Sequence, residues 1–279
     1  MKSRINIYSR PIPEIDSYYK MVDFAAEFGL NVETINSHEL REPDIEFAKR
    51  LREYACRKGV EFPCVSLGIN LVGDDAREAI ERAKKYADIA AILGSPYLHH
   101  TIAMYLMDNE ELDKNRKLYI EKGISAVKEI YDYAQTLGVK TIYEDQGYIF
   151  NGIEGVKLIE KAERDTGIVA DFGNIQFVDE NIEDFIPTMA DRIVHVHVKD
   201  YIVHPEGTDN ESEELSKTLR NSRLERCYLG EGSVDFDSAF AELKKAGYTG
   251  SVSIESSYNT DNARKMFEKD LEFLKKYVD

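Results

Sequence analysis

Short strand-like segments alternate with longer amphipathic helical segments along the entire chain, and this alternation constrains the fold more than any other feature. Eight strand–helix pairs follow one another, beginning with RINIYSR and the helical segment around SYYKMVDFAAEFGL. Several predicted helices end on a glycine just before the next strand, where a left-handed backbone costs no Cβ clash. These glycines are Gly29, Gly59, Gly94, Gly138, Gly167 and Gly250. Strict alternation predicts parallel strands joined by right-handed crossovers.

Eight such units in 279 residues predict an α/β fold, a single-domain (β/α)8 TIM barrel. The alternative is an open, doubly wound sheet, which normally binds a nucleotide at a glycine-rich first turn. Residues 8–14 read YSRPIPE and contain no such glycines, which favours the barrel. No linker divides residues 1–279 into two domains. A charged insert near 202–229, most densely charged at 206–226, is expected to form an exposed loop or a short helix.

The composition argues against several classes of protein. The net charge of −16 disfavours a nucleic-acid-binding surface, which needs clustered Lys and Arg. No stretch approaches the roughly 20 apolar residues of a membrane span, and the first residues lack the apolar region of a signal peptide. The three cysteines, Cys56, Cys64 and Cys227, are widely spaced and odd in number, which is typical of reduced thiols. We therefore expect a cytoplasmic protein without nucleic-acid or membrane partners, and a homo-oligomer is compatible with the sequence.

Four residues with metal-binding or acid/base side chains end four separate strand-like runs. They are Glu144 in TIYEDQG, Asp171 in GIVADFGN, His197 in RIVHVHVKDY and Glu255 in GSVSIES. Parallel strands bring such distant positions together at their carboxyl ends, where the active sites of barrels lie. Alternation along each strand places these four side chains on the inward face. We therefore expect all four to converge at the mouth of the barrel.

A divalent cation would relieve the repulsion among the three inward carboxylates of this predicted group. Oxygen-rich ligands with one imidazole suit Mn²⁺, Mg²⁺ or Co²⁺, and Zn²⁺ is also compatible. A carboxylate bound through one oxygen keeps its other oxygen as a base. The pattern thus predicts a metal site that also carries acid/base groups.

Several further residues are candidates for binding a substrate. Lys199 shares the face of His197 one pleat nearer the mouth, where it would meet a hydroxyl, carboxylate or phosphate group. Glu33, in NVETIN, is either a surface residue or a substrate-binding candidate that points into the pocket. A structural or loop role is favoured for His99 and His100 at the end of the fourth strand, with His100 retained as a substrate-binding candidate.

Three strings carry a resemblance to a known family: DFGN at 171–174, HVKD at 197–200, and GEGSVDFDSAFAELKKAGYTGSVSIE at 230–255. The last is similar to a G-x-G-x-(I/V)-D-(F/W) turn that leads through a helix to the final strand and its Glu. Their order and spacing resemble the sugar-phosphate isomerase/epimerase family of xylose isomerase-like barrels. The resemblance covers nearly the whole chain.

The resemblance implies that Glu144, Asp171, His197 and Glu255 bind one divalent cation, with Mn²⁺ the favoured ion. It also implies that Glu144 and Glu255 form an acid/base pair. The implied activity is isomerisation or epimerisation of a small sugar or sugar derivative through a metal-stabilised enediolate. Return of the proton to the opposite face of the same carbon gives epimerisation, and return to the adjacent carbon gives isomerisation.

The chain departs from the ketose 3-epimerase branch of that family at three positions. Asn174 stands where that branch commonly has a substrate-binding His, so Asn174 is a substrate-binding candidate. Phe150 and Val203 stand where the branch has a carboxylate and an Arg. The substrate stays open, and a polyol or inosose dehydratase and a non-catalytic sugar-binding barrel are alternatives. A phosphodiesterase like the DNA-repair relatives is disfavoured, because the chain is acidic and has only six His.

Overall fold

The structure is a computed structural model that describes most of the chain. The described residues are 1, 4–8, 12, 14–103, 109–144, 152–178, 180–205, 216–217, 223–256 and 262–278, with the backbone alone described for 109–113 and 216–217. Within these ranges, no helix combines the length and apolar character needed to cross a membrane.

Eight parallel strands form the central sheet of the described chain. The strands are β1 (Arg4–Tyr8), β2 (Asn31–Glu33), β3 (Val65–Leu67), β4 (Tyr97–His100), β5 (Lys140–Glu144), β6 (Gly167–Asp171), β7 (Ile193–Val198) and β11 (Ser251–Ile254). Their spatial order is β2-β1-β11-β7-β6-β5-β4-β3. The two end strands meet through a parallel bridge between Thr34 and Val65. The predicted (β/α)8 barrel is therefore confirmed.

Eight α-helices surround the strands in the described part of the chain, and they alternate with the strands as predicted. They are α1 (Tyr18–Phe28), α2 (Ile45–Lys58), α3 (Ala76–Leu93), α4 (Asn109–Thr136), α5 (Gly152–Glu160), α6 (Ile182–Met189), α7 (Phe236–Lys245) and α8 (Ala263–Leu274), of which only α4 begins before its predicted start. Helix α2 shows how the sequence sets these limits. The Asp44 side chain accepts a hydrogen bond from the Phe47 N–H at 2.8 Å and caps the start, and Gly59 ends the helix with φ of 71°.

The glycine predictions are right at four positions and wrong at two. Gly29, Gly59, Gly94 and Gly138 all have the expected positive φ. Gly167 instead begins β6, where a Cβ would clash with Val194 and Ile142. The turn after α7 is made by Gly247, with φ of 74°, rather than by Gly250.

The charged insert contains a second sheet instead of the predicted loop or short helix. Its described strands are β8 (Asp200–His204), β9 (Ser216–Lys217) and β10 (Arg223–Cys227), and they pair antiparallel in the order β8-β10-β9. Strand β10 buries Leu224, whereas Glu225 and Arg226 are both exposed. The strand therefore lacks the alternation of apolar and polar residues that indicates a half-buried strand in a sequence. The remaining insert residues, 206–215 and 218–222, lie outside the described part.

Asp200, the first residue of β8, connects the segment after β7 to the turn that precedes α7. Its carboxylate accepts hydrogen bonds from the backbone N–H groups of Gly230, Gly232 and Val234 at 2.9–3.1 Å, and from that of Tyr201 at 2.9 Å. A Cβ at Gly232 would clash with the Asp200 carboxylate and the Tyr201 carbonyl. The close approach explains the glycine of GEGSVD at this position.

Asp200→Ala is expected to lower the free energy of unfolding by roughly 2–4 kcal/mol, because four buried or half-buried N–H groups lose their acceptor. Burial raises the pKa of Asp200, and the backbone donors oppose that rise. Urea unfolding compares this variant with Asp191→Ala, a change at an exposed turn that should cost little. Equal unfolding midpoints for the two variants would contradict the role assigned to Asp200.

Candidate metal centre at the carboxyl ends of the strands

Four side chains converge at the carboxyl ends of β5, β6, β7 and β11. One ligand atom each from Glu144, Asp171, His197 and Glu255 lies within 4.8 Å of the others, and all four residues are buried. The register explains the convergence, because Asp171 and Ser253 both pair with His197 across neighbouring strands. The convergence predicted from the sequence is therefore present.

The imidazole of His197 faces the three carboxylates with one nitrogen. Its Nδ1 lies 2.7 Å from Glu144 Oε1, 3.2 Å from Glu255 Oε2 and 3.8 Å from Asp171 Oδ2. Its Nε2 lies 3.0 and 3.1 Å from the two oxygens of Glu33. The carboxylate of Glu33 therefore fixes the ring on its Nε2 side, and Nδ1 faces the carboxylates of the other three residues.

The backbone that follows β6 fixes the orientation of Asp171. The N–H groups of Gly173 and Asn174 each donate to Asp171 Oδ1 at 2.9 Å. The other oxygen, Oδ2, consequently turns toward Lys199 Nζ, 2.7 Å away. Asn174 itself is buried, and its side-chain nitrogen finds no hydrogen-bond partner among the described residues. A substrate contact at Asn174 stays a prediction.

Lys199 lies inside the group rather than in solvent at the mouth. Its side chain is 2% exposed, and its Nζ contacts Asp171 Oδ2 at 2.7 Å and Glu255 Oε2 at 3.0 Å. Burial lowers the pKa of Lys199, but the carboxylates of Asp171 and Glu255 outweigh it and the net shift is upward. The ammonium group thus neutralises part of the negative charge of the site. Binding of a substrate group by Lys199 stays a prediction.

Lys199→Met is expected to make the folded protein more dependent on a bound cation. Without the ammonium group, only His197 compensates the three carboxylates, so the melting temperature in EDTA should fall. An added divalent cation should then raise the melting temperature by more than it does in the wild type. Lys114→Met, at an exposed position of α4, is the matched control. An equal cation-induced shift in all three proteins would contradict the prediction.

Glu33 lies below the group, inside the barrel rather than at the surface, and a substrate contact by Glu33 stays a prediction. Its carboxylate is 0% exposed and accepts hydrogen bonds from Ser66 Oγ and Ser253 Oγ, both at 2.6 Å. His195 Nε2 lies 2.7 Å from the same carboxylate. These partners, together with His197, occupy both oxygens, so the contacts favour a role in holding the two histidines over a contact with substrate.

The two neighbouring histidines of β4 face opposite sides of the strand. His100, the substrate-binding candidate, turns away from the site and places Nε2 3.1 Å from the Tyr143 hydroxyl and Nδ1 3.0 Å from the Thr101 carbonyl. Burial lowers the pKa of His100 to about 4. The structure thus contradicts a substrate contact by His100, because alternation places it in the layer between strand and helices.

His99 is the histidine of this pair that faces the site. Its Nε2 lies 3.8 Å from Glu144 Oε2, and its ring packs edge-on against that of His197 with 5.5 Å between centroids. From the sequence, only a structural or loop role was expected for His99. The signal that identifies it is the strand register, in which His99 pairs with Ile142, two residues before Glu144 on the same face.

The protonation of the site reflects the close packing of its charges. Burial raises the pKa of Asp171 well above its usual range; Lys199 opposes the rise, and the carboxylates of Glu144 and Glu255 add to it. Burial lowers the pKa of His197, but the surrounding carboxylates, Glu33 first, outweigh burial and raise it well above its usual range. A cation would therefore compete with protons at His197 and Asp171.

A family comparison matches almost the entire chain. The model of the family described as xylose isomerase-like TIM barrel matches residues 22–277. The chain belongs to this family. The fold and the family resemblance read from the sequence are both confirmed.

Individual relatives have low sequence identity to the chain. The chain is 25% identical over 187 residues to an inosose isomerase of Halalkalibacterium halodurans, a match that spans 64% of this chain and 59% of that relative. The crystal structure of the IOLI protein with a bound zinc atom is 17% identical, covers 98% of this chain and 99% of that chain, and has a TM-score of 0.75. The D-allulose 3-epimerase of Methylomonas sp. in complex with D-allulose is 19% identical, covers 99% and 97%, and has a TM-score of 0.74. These structural likenesses establish the fold.

The residues of the site fit a divalent cation. His197 Nε2 points at Glu33, so Nδ1 is the nitrogen left to face the carboxylates once the ring loses its extra proton. Asp171 Oδ2 points the same way, because Oδ1 is taken by backbone donors. Three carboxylates and one imidazole form an oxygen-rich donor set of the kind that binds Mn²⁺, Mg²⁺ or Zn²⁺.

Proposed function

We propose that the protein is a metal-dependent isomerase or epimerase that acts on a small sugar or a cyclic polyol ketone. The observation that carries the proposal is the buried convergence of Glu144, Asp171, His197 and Glu255 within 4.8 Å at the mouth of the barrel. The inosose isomerase relative and the D-allulose 3-epimerase neighbour support the substrate class, because the compounds in their names, inosose and D-allulose, are α-hydroxyketones.

The four residues would hold one divalent cation, with Mn²⁺ the ion proposed from the family resemblance. The zinc in the IOLI neighbour supports a metal in this fold. When bound, the cation would act as a Lewis acid that makes the proton on the carbon next to the substrate carbonyl more acidic.

The protein groups then have separate tasks. Glu144 and Glu255 come from strands on opposite sides of His197 in the spatial order of the barrel, β5 and β11. One removes the proton and the other returns it, so the bound carbon is reached from two directions. Lys199, 3.0 Å from Glu255 Oε2, would keep that carboxylate ionised and would donate to a substrate oxygen.

Proton exchange in deuterated water tests the proposal directly. The protein, loaded in turn with Mn²⁺, Mg²⁺, Co²⁺ and Zn²⁺, is mixed with a panel of ketoses and inososes, and deuterium in substrate and product is followed by NMR. We expect deuterium incorporation together with an epimer or isomer of one panel member. A dehydrated product that absorbs in the ultraviolet would identify a lyase instead. Binding of a panel member without exchange or product would identify a non-catalytic barrel.

A further inference from the structure

His99 presents one nitrogen to the site that no described residue satisfies. The side chain is 3% exposed, and Nε2 has no hydrogen-bond partner in the described part of the chain. His99 Nε2 lies 3.8 Å from Glu144 Oε2, which is beyond hydrogen-bond distance. Buried polar atoms are rarely left unpaired, so this nitrogen points to a ligand.

The hydrogen bonds on the other side of the ring decide which nitrogen carries the proton. Ser66 Oγ lies 2.6 Å from Glu33 Oε1 and 2.9 Å from His99 Nδ1. The two oxygens of Glu33 also face Ser253 Oγ at 2.6 Å and Nε2 of His195 and of His197 at 2.7–3.1 Å, and all of these groups can donate. The carboxylate therefore accepts, so the Ser66 hydroxyl donates to Glu33 and accepts from the Nδ1–H of His99.

The neutral ring of His99 therefore carries its proton on Nδ1 and a lone pair on Nε2. An acceptor is thus aimed into the site next to Glu144. A sugar hydroxyl is the complementary donor, whereas a carbonyl oxygen has no proton to offer.

A second cation is the other ligand that a neutral imidazole can bind, but the surroundings disfavour it. Such an ion would have Glu33, His99 and His197 as its nearest ligands. Both oxygens of Glu33 already accept hydrogen bonds from serine hydroxyls and histidine nitrogens at 2.6–3.1 Å. The ion would have to displace these donors from a fully buried carboxylate.

We propose that His99 accepts a hydrogen bond from a substrate hydroxyl, and that Ser66 and Glu33 fix the tautomer that allows it to do so. The inference rests on the proposed function and adds a specificity-determining residue to it. The hydroxyl in question lies next to the carbon that faces Glu144, since His99 Nε2 lies 3.8 Å from Glu144 Oε2. The enzyme should therefore discriminate against substrates that lack this hydroxyl.

The test combines His99 variants with monodeoxy analogues of the best substrate or ligand of the panel. In the wild type, one monodeoxy analogue should show a fall of about 10- to 100-fold in kcat/KM and in affinity. His99→Leu should lose the same factor on the parent sugar and lose nothing further on that analogue. His99→Gln, whose side-chain amide reaches toward the Nε2 position, should recover part of the loss. The number of bound metal ions, measured by elemental analysis, should stay at one in all three proteins.

Several outcomes would overturn the inference. An unchanged penalty for every deoxy analogue in His99→Leu would show that His99 does not touch the substrate. A wild type that binds two cations, with one lost in His99→Leu, would make His99 a metal ligand. Failure of the proposed function is distinguishable, because affinities measured by calorimetry still report the hydroxyl contact when a sugar binds without turnover. Absence of binding by every panel member would overturn both proposals.

A separate measurement tests the tautomer. In protein labelled with ¹⁵N-histidine, Nε2 of His99 should give the chemical shift of an unprotonated ring nitrogen. Ser66→Ala removes the acceptor of Nδ1–H and should shift that resonance toward a mixture of tautomers and reduce discrimination against the deoxy analogue. Ser253→Ala removes the other serine that donates to Glu33 and should leave the tautomer of His99 unchanged. A protonated Nε2 in the wild type would contradict the inference.

Discussion

Glu144→Gln and Glu255→Gln are each expected to lower kcat by at least about 10²- to 10⁴-fold, the range that general acid–base catalysis contributes. Each change keeps the size of the side chain and removes its basic oxygen. If the two carboxylates act on opposite sides of the substrate, one variant should still exchange the substrate proton with solvent without forming product. The other variant should lose exchange. Deuterium incorporation measured by NMR beside product formation separates the two.

The same experiment needs two controls. Glutamine is a weaker metal ligand than glutamate, so the metal content of each variant must be measured at the cation concentration of the assay. Glu53→Gln, at an exposed position of α2, tests for an effect of charge on the outer surface. Near-normal turnover with full metal content in either site variant would make that Glu a ligand or a bystander, and a one-base scheme with Lys199 or His99 would replace the pair.

Removal of the cation is expected to have the second large effect. A ligand that binds only the folded state at 100 times its Kd stabilises that state by about 2.7 kcal/mol. For a chain of this length, such a change corresponds to a rise of roughly 5–10 °C in melting temperature. Asp171→Asn and His197→Ala should each weaken binding by at least about 10- to 100-fold, since even residues that merely support metal ligands have effects of that size.

Calorimetry and melting curves with EDTA and with Mn²⁺ measure these effects. Because the pKa values of His197 and Asp171 are raised, a cation competes with protons at both residues. The apparent affinity should therefore rise with pH up to the point where both residues are deprotonated. Asp191→Asn and His204→Ala, both away from the site, are matched controls. Melting temperatures that respond to neither EDTA nor Mn²⁺ would reject the metal site.

The helices and the barrel could be predicted because their signals are local and repeat eight times. The limits of α2, for example, are marked in the sequence by a capping Asp44 and a terminal Gly59. The second sheet could not be predicted, because Leu224 is the main apolar residue of a strand surrounded by charge, and its partner β8 is formed by residues more than 18 positions away. Pairing between distant segments leaves little trace in local composition.

The four central residues of the site could be predicted because each lies near the end of a strand, at a position that alternation places on the inward face. Depth inside the barrel was harder to predict. Glu33 shares the inward face but lies beneath His197, since β2 pairs with β1 in a register that places Glu33 opposite Tyr8. The choice between His99 and His100 depends likewise on the pairing of β4 with β5. A single sequence gives the alternation of side chains but not the register that selects which of two neighbours faces inward.

Glu33 belongs to β2, and its carboxylate contacts residues of three other strands, β3, β7 and β11. These partners are Ser66, His195, His197 and Ser253. A change of any one partner leaves the others with an unpaired buried group, so single substitutions here should each be harmful. Changes made together can restore complete pairing and should then cost far less than the sum of the single effects. This part of the interior should consequently evolve by coordinated replacement, and mutational scans should find strong epistasis among positions that are distant in the sequence.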